Sequence, residues 1–563
     1  MMHALRTSLA AALAAGLLVL AACGGGGGDD TPDNTPAPGA QEGTLSLSFA
    51  GGAVPGVGRV WGTVESVALH EDPNRAWSAG DDTWKVIELS SPVTVDLASL
   101  TNGLVGNLVL GNALPAGIYG QVRLFLTPYD EALTGGAKAY GLVHNQQVDY
   151  VDAAGNAQHV PLELADMPLG LRVPGPVQIH AQQSNQITLA LDLAHNLVRV
   201  DGADGVDHFL LRPDLRPMRL EATGAIVGLI DKTHFCAAGV RAPDCIHDVV
   251  VSALSASPDG RYKRVVRSAT VTLETGGAVF ALYPLPESPK VDVVITGRNM
   301  QTMVVRDVPS PPADLLHAVP TQLGVNPGPM VPMFRPDGDG EVALAATVDD
   351  PSTQLLFAQT LPDAGALPLE VVSANVDPFT GLLARPLAVP GGALQVATYS
   401  ETGPLTFAEV TPVEGAGRFS VATRGTPTQD MSAFVQRAVP PGEQTLLTVP
   451  APVPHPGVGS GTLAVTVGAA SADDFDAATL VVADVGGVVA TRDVSALLAG
   501  GGTVEVTLPA GATAAGLGGT AVYAVSLRGW KRGDPSSTLA WGRAANPVDL
   551  RSATSASTSV ALP

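Results

Sequence analysis

Apolar and polar residues alternate one by one along several stretches of the chain. Near the start, Leu45, Leu47 and Phe49 alternate with hydroxyl-bearing residues, and the stretch 187–193 repeats the pattern. Successive side chains of a β-strand point to opposite faces, so a period of two predicts strands with one buried face. In the stretch 118–126 we expect one face to carry Ile118, Gly120, Val122, Leu124 and Leu126, and the opposite face to carry Tyr119, Gln121 and Arg123.

These short strands are separated by turn residues. The chain of 563 residues contains 63 Gly and 46 Pro, which favours many turns over long helices. Regularly spaced strands with turn signals are typical of β-sandwiches. The length is sufficient for several such domains. We therefore predict an all-β protein of tandem β-sandwich domains, either Ig-like or transthyretin-like.

The first 22 residues have the pattern of an export signal. Arg6 precedes a short apolar run, 9–20, which is too short to cross a bilayer as a helix. The run ends in Leu20-Ala21-Ala22-Cys23, which resembles the lipobox of bacterial lipoproteins. The resemblance implies that Cys23 is lipidated and becomes the mature N-terminus. The alternative is an ordinary secretory signal with a chance cysteine.

Residues 23–43 are rich in Gly, Pro and polar residues, and we expect them to be a disordered tether. The net charge of −22 argues against nucleic acid as a partner, because binding a polyanion requires a basic face. It also argues against attraction to anionic lipid head groups, so the lipid itself must hold the protein at the membrane. The lipobox resemblance, with Gly24 after the cysteine, implies a cell-envelope lipoprotein at the outer membrane of a Gram-negative bacterium.

Residues 44–221 contain a series of recognisable strings. They are GTLSLSF at the start, VDLASLTNG at 95–103, LPAGIYGQVRL at 114–124, LALDL at 189–193 and LLRP at 210–213. This series resembles the bacterial domain-of-unknown-function family 4382. The resemblance implies a lipid-anchored, secreted β domain and supplies no catalytic residues.

A second resemblance covers residues 222–308. The strings GAIVGLI at 224–230, VVVSAL at 249–254 and GGAVFALYPLP at 276–286 are similar to a carboxypeptidase-regulatory-like module with a transthyretin-type sandwich. Such modules support or connect other domains. Beyond it we expect a linker at 309–340, a β-sandwich-like domain at 341–449, a second linker at 450–457 and a C-terminal β-sandwich-like domain at 458–563.

Catalytic motifs do not emerge from the sequence. Gly457-Val458-Gly459-Ser460-Gly461 places its serine out of register for a nucleophile elbow, and His70-Glu71-Asp72-Pro73 lacks the second histidine of a zinc protease. The acidic segments 337–341 and 473–476 do not fit a calcium loop and are interpreted as solvated turns. We therefore predict no enzyme, no cofactor and no metal site, although a constellation of distant residues stays open.

Cys236 and Cys245 lie between two predicted strands, 224–230 and 249–254. In an exported protein they can form a disulfide that closes this connection. The alternative is a zinc site, because His234 and His247 flank the cysteines in the pattern H-x-C…C-x-H. An oxidising compartment and the intervening Gly239 and Pro243 favour the disulfide.

Two of the five tryptophans lie in polar stretches. Trp77 and Trp530 are candidates for stacking on sugar rings, whereas Trp61 and Trp84 adjoin strands. Two functions follow. The favoured one is a non-enzymatic envelope lipoprotein whose β-sandwiches form a modular stalk for adhesion, assembly or ligand binding. The alternative is a glycan-binding or polysaccharide-processing accessory lipoprotein. The expected partners are the membrane, through the lipid, and a glycan or an envelope protein.

Overall fold

The computed structural model describes residues 41–563, except for 102, 153, 166, 202–205, 213, 238, 287, 311–319, 325–329, 336–338, 345–352 and 533–538. The proposed signal peptide, Cys23 and nearly all of the tether lie outside the described residues. Glu42–Pro563 forms one compact unit. Its described residues are mostly β-strand with a few short helices, which confirms the all-β prediction. None of the helices among them is long and apolar enough to span a bilayer.

The N-terminal region, 42–221, folds into two sheets around one apolar core. One sheet has four strands in the order β12-β9-β1-β4, with β1 and β9 parallel. The other has the order β10-β11-β7-β6-β2-β5-β8, with β3 also paired to β2. The strands are β1 (Glu42–Ala50), β2 (Val57–His70), β3 (Lys85–Asp96), β4 (Gly106–Pro115), β5 (Gly117–Leu126), β6 (Gln147–Val151), β7 (Ala157–Glu163), β8 (Leu171–Ile179), β9 (Ser184–Leu191), β10 (Leu197–Asp201), β11 (Asp207–Leu211) and β12 (Leu215–Arg219). The helices are α1 (Gly135–Ala139) and α2 (Leu193–Asn196).

The expected face assignment of β5 is wrong at its start. Ile118 is 60% exposed and Tyr119 is 2% exposed, the reverse of the simple alternation. The register against β8 shifts between Tyr119 and Gln121, so a bulge exchanges the faces there. Gln121 and Arg123 are also buried, because both faces of this strand are covered. From Gln121 to Leu124 the strand is therefore buried on both faces, and it is not the half-buried strand that the pattern predicts.

The middle region of the chain, 224–454, is built around one large sheet. A four-stranded sheet, β16-β17-β13-β20, packs on a ten-stranded sheet with the order β26-β25-β19-β18-β14-β15-β23-β22-β27-β29. The strands up to residue 323 are β13 (Gly224–Ile230), β14 (His247–Ala256), β15 (Lys263–Thr270), β16 (Thr272–Glu274), β17 (Gly277–Leu285), β18 (Ser288–Arg298), β19 (Met303–Ser310) and β20 (Thr321–Leu323). Those that follow are β21 (Asp339–Leu344), β22 (Gln354–Gln359), β23 (Leu369–Asn375), β24 (Leu387–Pro390), β25 (Leu394–Thr398), β26 (Ala408–Val410), β27 (Arg418–Arg424), β28 (Gln429–Asp430), β29 (Val435–Ala438), β30 (Gln444–Leu447) and β31 (Val453–Pro454).

The large sheet crosses the expected linker at 309–340. β19 pairs in parallel with β25, and β15 pairs with β23. Strands from before and after the linker thus share backbone hydrogen bonds, so the linker does not separate two sheets. The second expected linker, 450–457, includes β31, which pairs with β28. His455 N also donates to Thr428 O at 2.9 Å, so this segment is attached to the body.

The C-terminal region, 458–563, is a further sandwich. A three-stranded sheet, β35-β32-β39, faces a sheet of order β34-β33-β36-β37 in which β38 pairs with β36. The elements are β32 (Gly459–Val467), β33 (Ala477–Asp484), β34 (Gly487–Asp493), β35 (Gly502–Ala510), α3 (Gly511–Gly516), β36 (Val522–Trp530), β37 (Ala540–Arg543), β38 (Val548–Asp549) and β39 (Ser555–Val560). A separate apolar cluster contains Tyr129 and Leu210 together with Val481 and Trp541, so the first and last regions are packed against each other.

Candidate functional site

A cavity of about 600 Å³ lies where the N-terminal region meets the large sheet. Its lining comes from the segment after β9, the segment around β12, strand β15 and the segment that follows β27. Pockets of roughly 300–1,000 Å³ are typical of small-molecule sites. The size is therefore sufficient for a ligand, and the lining residues determine which kind.

The cavity opens where two strands of the large sheet separate. β15 pairs with β23 only at Lys263 and Leu369. At Val265 a side chain takes the place of a backbone hydrogen-bond acceptor, because Val265 N donates to Glu370 Oε2 at 3.0 Å. A backbone N–H left unpaired inside a protein is costly, so this carboxylate stabilises the gap. Residues of β15 beyond Lys263 are thereby released to line the cavity.

Five arginines line this cavity in an otherwise acidic chain. They come from three distant parts of the sequence and are Arg212, Arg216, Arg264, Arg267 and Arg424. Arg212 Nη2 donates to Gly425 O at 2.7 Å, and Arg267 donates to the carbonyl oxygens of Leu191 and Gly51. Carbonyl acceptors orient a guanidinium without removing its positive charge. The lining therefore has fixed cations.

Asp214 lies among these arginines. Its Oδ2 is 3.3 Å from Arg216 Nη2. The Asp214 side chain is 54% exposed, and its crowded surroundings raise its pKa by desolvation. The attraction of Arg216 and Arg212 outweighs that effect and leaves the pKa below its usual value. Asp214 is therefore ionised, and it has several positive neighbours.

His195 stands at the other end of the cavity between two carboxylates. Its Nδ1 is 3.1 Å from Asp192 Oδ1 and its Nε2 is 4.0 Å from Glu370 Oε1. Burial lowers the pKa of His195. The charges of Asp192 and then Glu370 raise the pKa by more than burial lowers it, so the net shift is upward. Ser268 Oγ donates to Asp192 at 2.6 Å, so this hydroxyl is directed to the carboxylate and not to the imidazole. The two carboxylates thus favour the protonated form of His195.

Arg424 completes the wall at the end of β27. Its Nη1 donates to the Tyr262 hydroxyl at 3.0 Å, and its Nη2 donates to Gln354 Oε1. Nη2 is also 3.8 Å from Glu370 Oε1. Glu370 is therefore a buried carboxylate that lies within 4.0 Å of both Arg424 and His195.

Trp77 lies in an aromatic cluster in the connection between β2 and β3. Its ring centroid is 4.5 Å from that of Phe125 and 5.2 Å from that of Trp84. Trp84 is buried, and Trp77 is half-buried. The ring is largely used for packing against its neighbours.

Trp530 ends β36 and is also half-buried. The guanidinium of Arg528 lies 5.7 Å from its ring centroid and 4.5 Å from that of Phe379. Trp77 and Trp530 contact different residues. Trp61, Trp84 and Trp541 are buried. The five tryptophans therefore do not form an exposed row.

Cys236 and Cys245 form a disulfide, which confirms the prediction, with a Cα–Cα distance of 5.1 Å. The bond closes the connection between β13 and β14. Cys236 N donates to Ile246 O at 2.9 Å, and Asn299 Nδ2 donates to Cys245 O at 2.7 Å. Both sulfurs are engaged with each other, so the alternative zinc arrangement is not formed.

The acidic segment 473–476 is an exposed turn as expected, but residues 339–341 begin strand β21, so the interpretation of 337–341 as a solvated turn is wrong for them. Asp339 Oδ2 accepts a hydrogen bond from Asn299 N at 2.9 Å, and Asp476 Oδ1 accepts one from Arg532 N at 2.7 Å. Asp337 and Gly338 lie outside the described residues. Within the part of the chain that the structure describes, no three His, Cys, Asp or Glu residues are grouped as metal ligands.

The sequence did not predict the arginine-lined cavity. Its members are far apart in sequence, so no motif joins them. One signal was available: residues 261–267 contain Arg261, Lys263, Arg264 and Arg267, in a chain with only 31 basic residues against 53 acidic ones. Arg212 also lies within the LLRP string at 210–213.

Comparisons with known proteins identify part of the chain. Residues 42–213 match the family described as "Domain of unknown function (DUF4382)", which confirms the resemblance for that region. A search of curated proteins finds no match. The fold assignment rests on the sheets described above.

Three solved structures are among those to which the chain is similar. The Bacillus anthracis TIE protein is 8% identical, with 94% of this chain and 76% of that chain covered and a TM-score of 0.15. The shaft pilin SpaA from Lactobacillus rhamnosus GG is 10% identical, with 40% of this chain and 98% of that chain covered and a TM-score of 0.16. Two B repeat units of the collagen binding protein of Staphylococcus aureus are 10% identical, with 93% of this chain and 99% of that chain covered and a TM-score of 0.12.

Proposed function

We propose that the protein is a non-enzymatic lipoprotein of the bacterial cell envelope, anchored through Cys23, whose β-sandwich body serves adhesion, assembly or ligand binding. Among these uses, ligand binding has the most specific support. The observation that carries it is the cavity of about 600 Å³, in which Arg212, Arg267 and Arg424 are held in place by hydrogen bonds to other residues of the body.

The state of the cavity's ionisable groups favours binding over catalysis. A general base must have a free proton-accepting site near neutral pH. His195 lies between Asp192 and Glu370, whose charges raise its pKa and favour its protonated form, and Asp192 accepts a hydrogen bond from Ser268. These groups are arranged to maintain a fixed charge pattern, which is what a binding protein requires.

The body is one unit, and this affects how it would act. A modular stalk was expected from linkers between sandwiches, but the large sheet joins residues on both sides of 309–340. We infer that the body acts as a single element held away from the membrane by the tether at 23–43. The carboxypeptidase-regulatory-like identity of 222–308 fits the sandwich observed there and is part of this proposal.

The glycan-binding alternative depends on Trp77 and Trp530. Both rings are half-buried and packed against other side chains, whereas a stacking platform for sugars needs an open aromatic face. The tryptophans therefore give this alternative less support than the cavity gives to the favoured function.

Anchoring and localisation are tested by metabolic labelling with an alkyne fatty acid in a Gram-negative host. We expect the wild-type protein to be labelled and to sediment with the outer membrane. Cys23→Ala should abolish the label and release the protein, because acyl chains supply the membrane affinity. Gly24→Ala is the matched control and should be labelled. A wild-type protein that is soluble and unlabelled would overturn the proposal.

A further inference from the structure

The inner wall of the cavity contains more positive than negative groups. Five arginines line it together with His195, and they are Arg212, Arg216, Arg264, Arg267 and Arg424. Three carboxylates face them: Asp192, Asp214 and Glu370. The remaining acidic residues of the lining are Asp259, which is 4.0 Å from Arg261, and Asp430, which is exposed. The negative charge of the protein's carboxylates therefore does not balance the positive charge of the inner arginines.

Arg264 shows where this imbalance is greatest. Its side chain makes no hydrogen bond or ion pair with any described residue, and its Nε is buried without a partner. Burial lowers the pKa of Arg264, and the nearby positive charge of Arg216 lowers it further. A guanidinium remains charged in proteins and has five N–H donors to satisfy. An acceptor that the chain does not supply would satisfy this group.

The rest of the lining limits the form of that acceptor. The volume of about 600 Å³ exceeds what a single inorganic ion needs and suits a molecule of sugar size. Asn196, Thr426 and Gln429 add polar groups to the wall. Thr426 and Gln429 also hydrogen-bond to each other, so this part of the wall is held in place. The lining therefore combines charge for an oxyanion with polar groups for the molecule that bears it.

We propose that this cavity binds a small polar molecule bearing an oxyanion, either a carboxylate or a phosphate, through Arg264 with Arg212 and Arg216. Guanidinium groups bind both oxyanions by paired charge-assisted hydrogen bonds. Asp214 limits the affinity, because it competes for Arg216. This inference rests on the ligand-binding form of the proposed function and names the ligand class for the same cavity.

Isothermal titration of the purified full-length protein at low salt tests the inference. The probes are inorganic phosphate, glucose 6-phosphate and glucuronate, with glucose as the uncharged control. We expect saturable one-to-one binding of at least one anion and none of glucose. Phosphate binding as tightly as glucose 6-phosphate would identify the free ion as the ligand, and preference for glucuronate would identify a sugar acid.

Two variants with opposite expected effects make the test specific. Arg264→Gln should weaken anion binding about tenfold or more, because it removes a charge-assisted partner. Asp214→Asn should strengthen binding, because it removes the competing carboxylate. Arg492→Gln, on the exposed part of β34, is the matched control and should leave the affinity unchanged. Circular dichroism verifies folding, and Asp214→Asn alone suffices if Arg264→Gln does not fold.

Three results would overturn the inference: no saturable binding of any of the three anions, equal binding of glucose, or affinities that neither Arg264→Gln nor Asp214→Asn changes. These results are distinct from failure of the proposed function. A labelled, membrane-bound protein that binds no anion removes only the ligand class. An unlabelled, soluble protein that binds anions removes the envelope anchoring and retains the site.

Discussion

Arg528 Nε donates a hydrogen bond to Glu163 Oε2 at 3.2 Å, between residues 365 positions apart in the chain. Glu163 is fully buried at the end of β7, and Arg528 is nearly so in β36. His208 Nδ1 is 3.2 Å from the other carboxylate oxygen. Burial raises the pKa of Glu163, but Arg528 and His208 outweigh burial and lower it. The N-terminal and C-terminal regions thus meet at a buried ion pair.

Breaking this pair should destabilise the whole body. Glu163→Ala leaves Arg528 buried without its counter-ion, which typically costs about 3–5 kcal/mol in the free energy of unfolding. The double variant Glu163→Met with Arg528→Met should recover much of that loss, because apolar packing replaces the pair. Urea unfolding of the three proteins measures the difference. A double variant no more stable than Glu163→Ala would show that the unpaired charge is not the cause.

Asp484 should make stability depend on pH. It is fully buried at the end of β33, and burial raises its pKa to about 7 even though Gly486 N donates to its Oδ1 at 2.7 Å. In the unfolded chain the carboxyl ionises near pH 4. The folded state therefore keeps a proton that the unfolded state loses, and this group's contribution to stability falls as pH rises from about 4 to 7.

Asp484→Asn should remove that dependence. At pH 8 the variant is expected to be more stable than the wild type by up to about 4 kcal/mol, with the difference shrinking towards pH 4. Urea midpoints at a series of pH values provide the measurement. Asp473→Asn, at an exposed position, is the control and should keep the wild-type slope. A variant whose midpoints follow the wild type at every pH would contradict this prediction.

The disulfide should be complete in the exported protein. Alkylation without reductant followed by mass spectrometry should find no free thiol at Cys236 or Cys245. The joint change of both cysteines to serine should lower the free energy of unfolding by about 2–3 kcal/mol, because the closed loop is short. Wild-type protein under reductant should match the variant. Two alkylated thiols together with bound zinc would reverse the assignment.

Limited proteolysis should distinguish one body from separate modules. Cleavage is expected first within 30–43, releasing a body that begins near Glu42. A later cut within 309–336 should leave fragments that co-elute in gel filtration, because β19 and β25 remain hydrogen-bonded across it. Denaturant should separate them. Fragments that part under native conditions would mean that the regions fold and act independently.

Local patterns account for what the sequence predicted correctly. Alternating apolar residues placed β1 and β9, because burial of one face imposes a period of two. The motif strings located the N-terminal domain, and Cys236 and Cys245 are close enough in sequence for their pairing to be inferred from spacing and compartment. Each of these features depends on neighbours within a short stretch of chain.

Tertiary contacts determined the rest. The bulge at Gly120 and the covering of both faces of β5 placed Ile118 outside and Arg123 inside, which no period of two can express. The sequence by itself determined the strand-forming pattern, the all-β class and the disulfide. Only the tertiary structure brought Arg212, Arg264 and Arg424 to one cavity, because charge interactions depend on distance in space and the fold alone sets those distances.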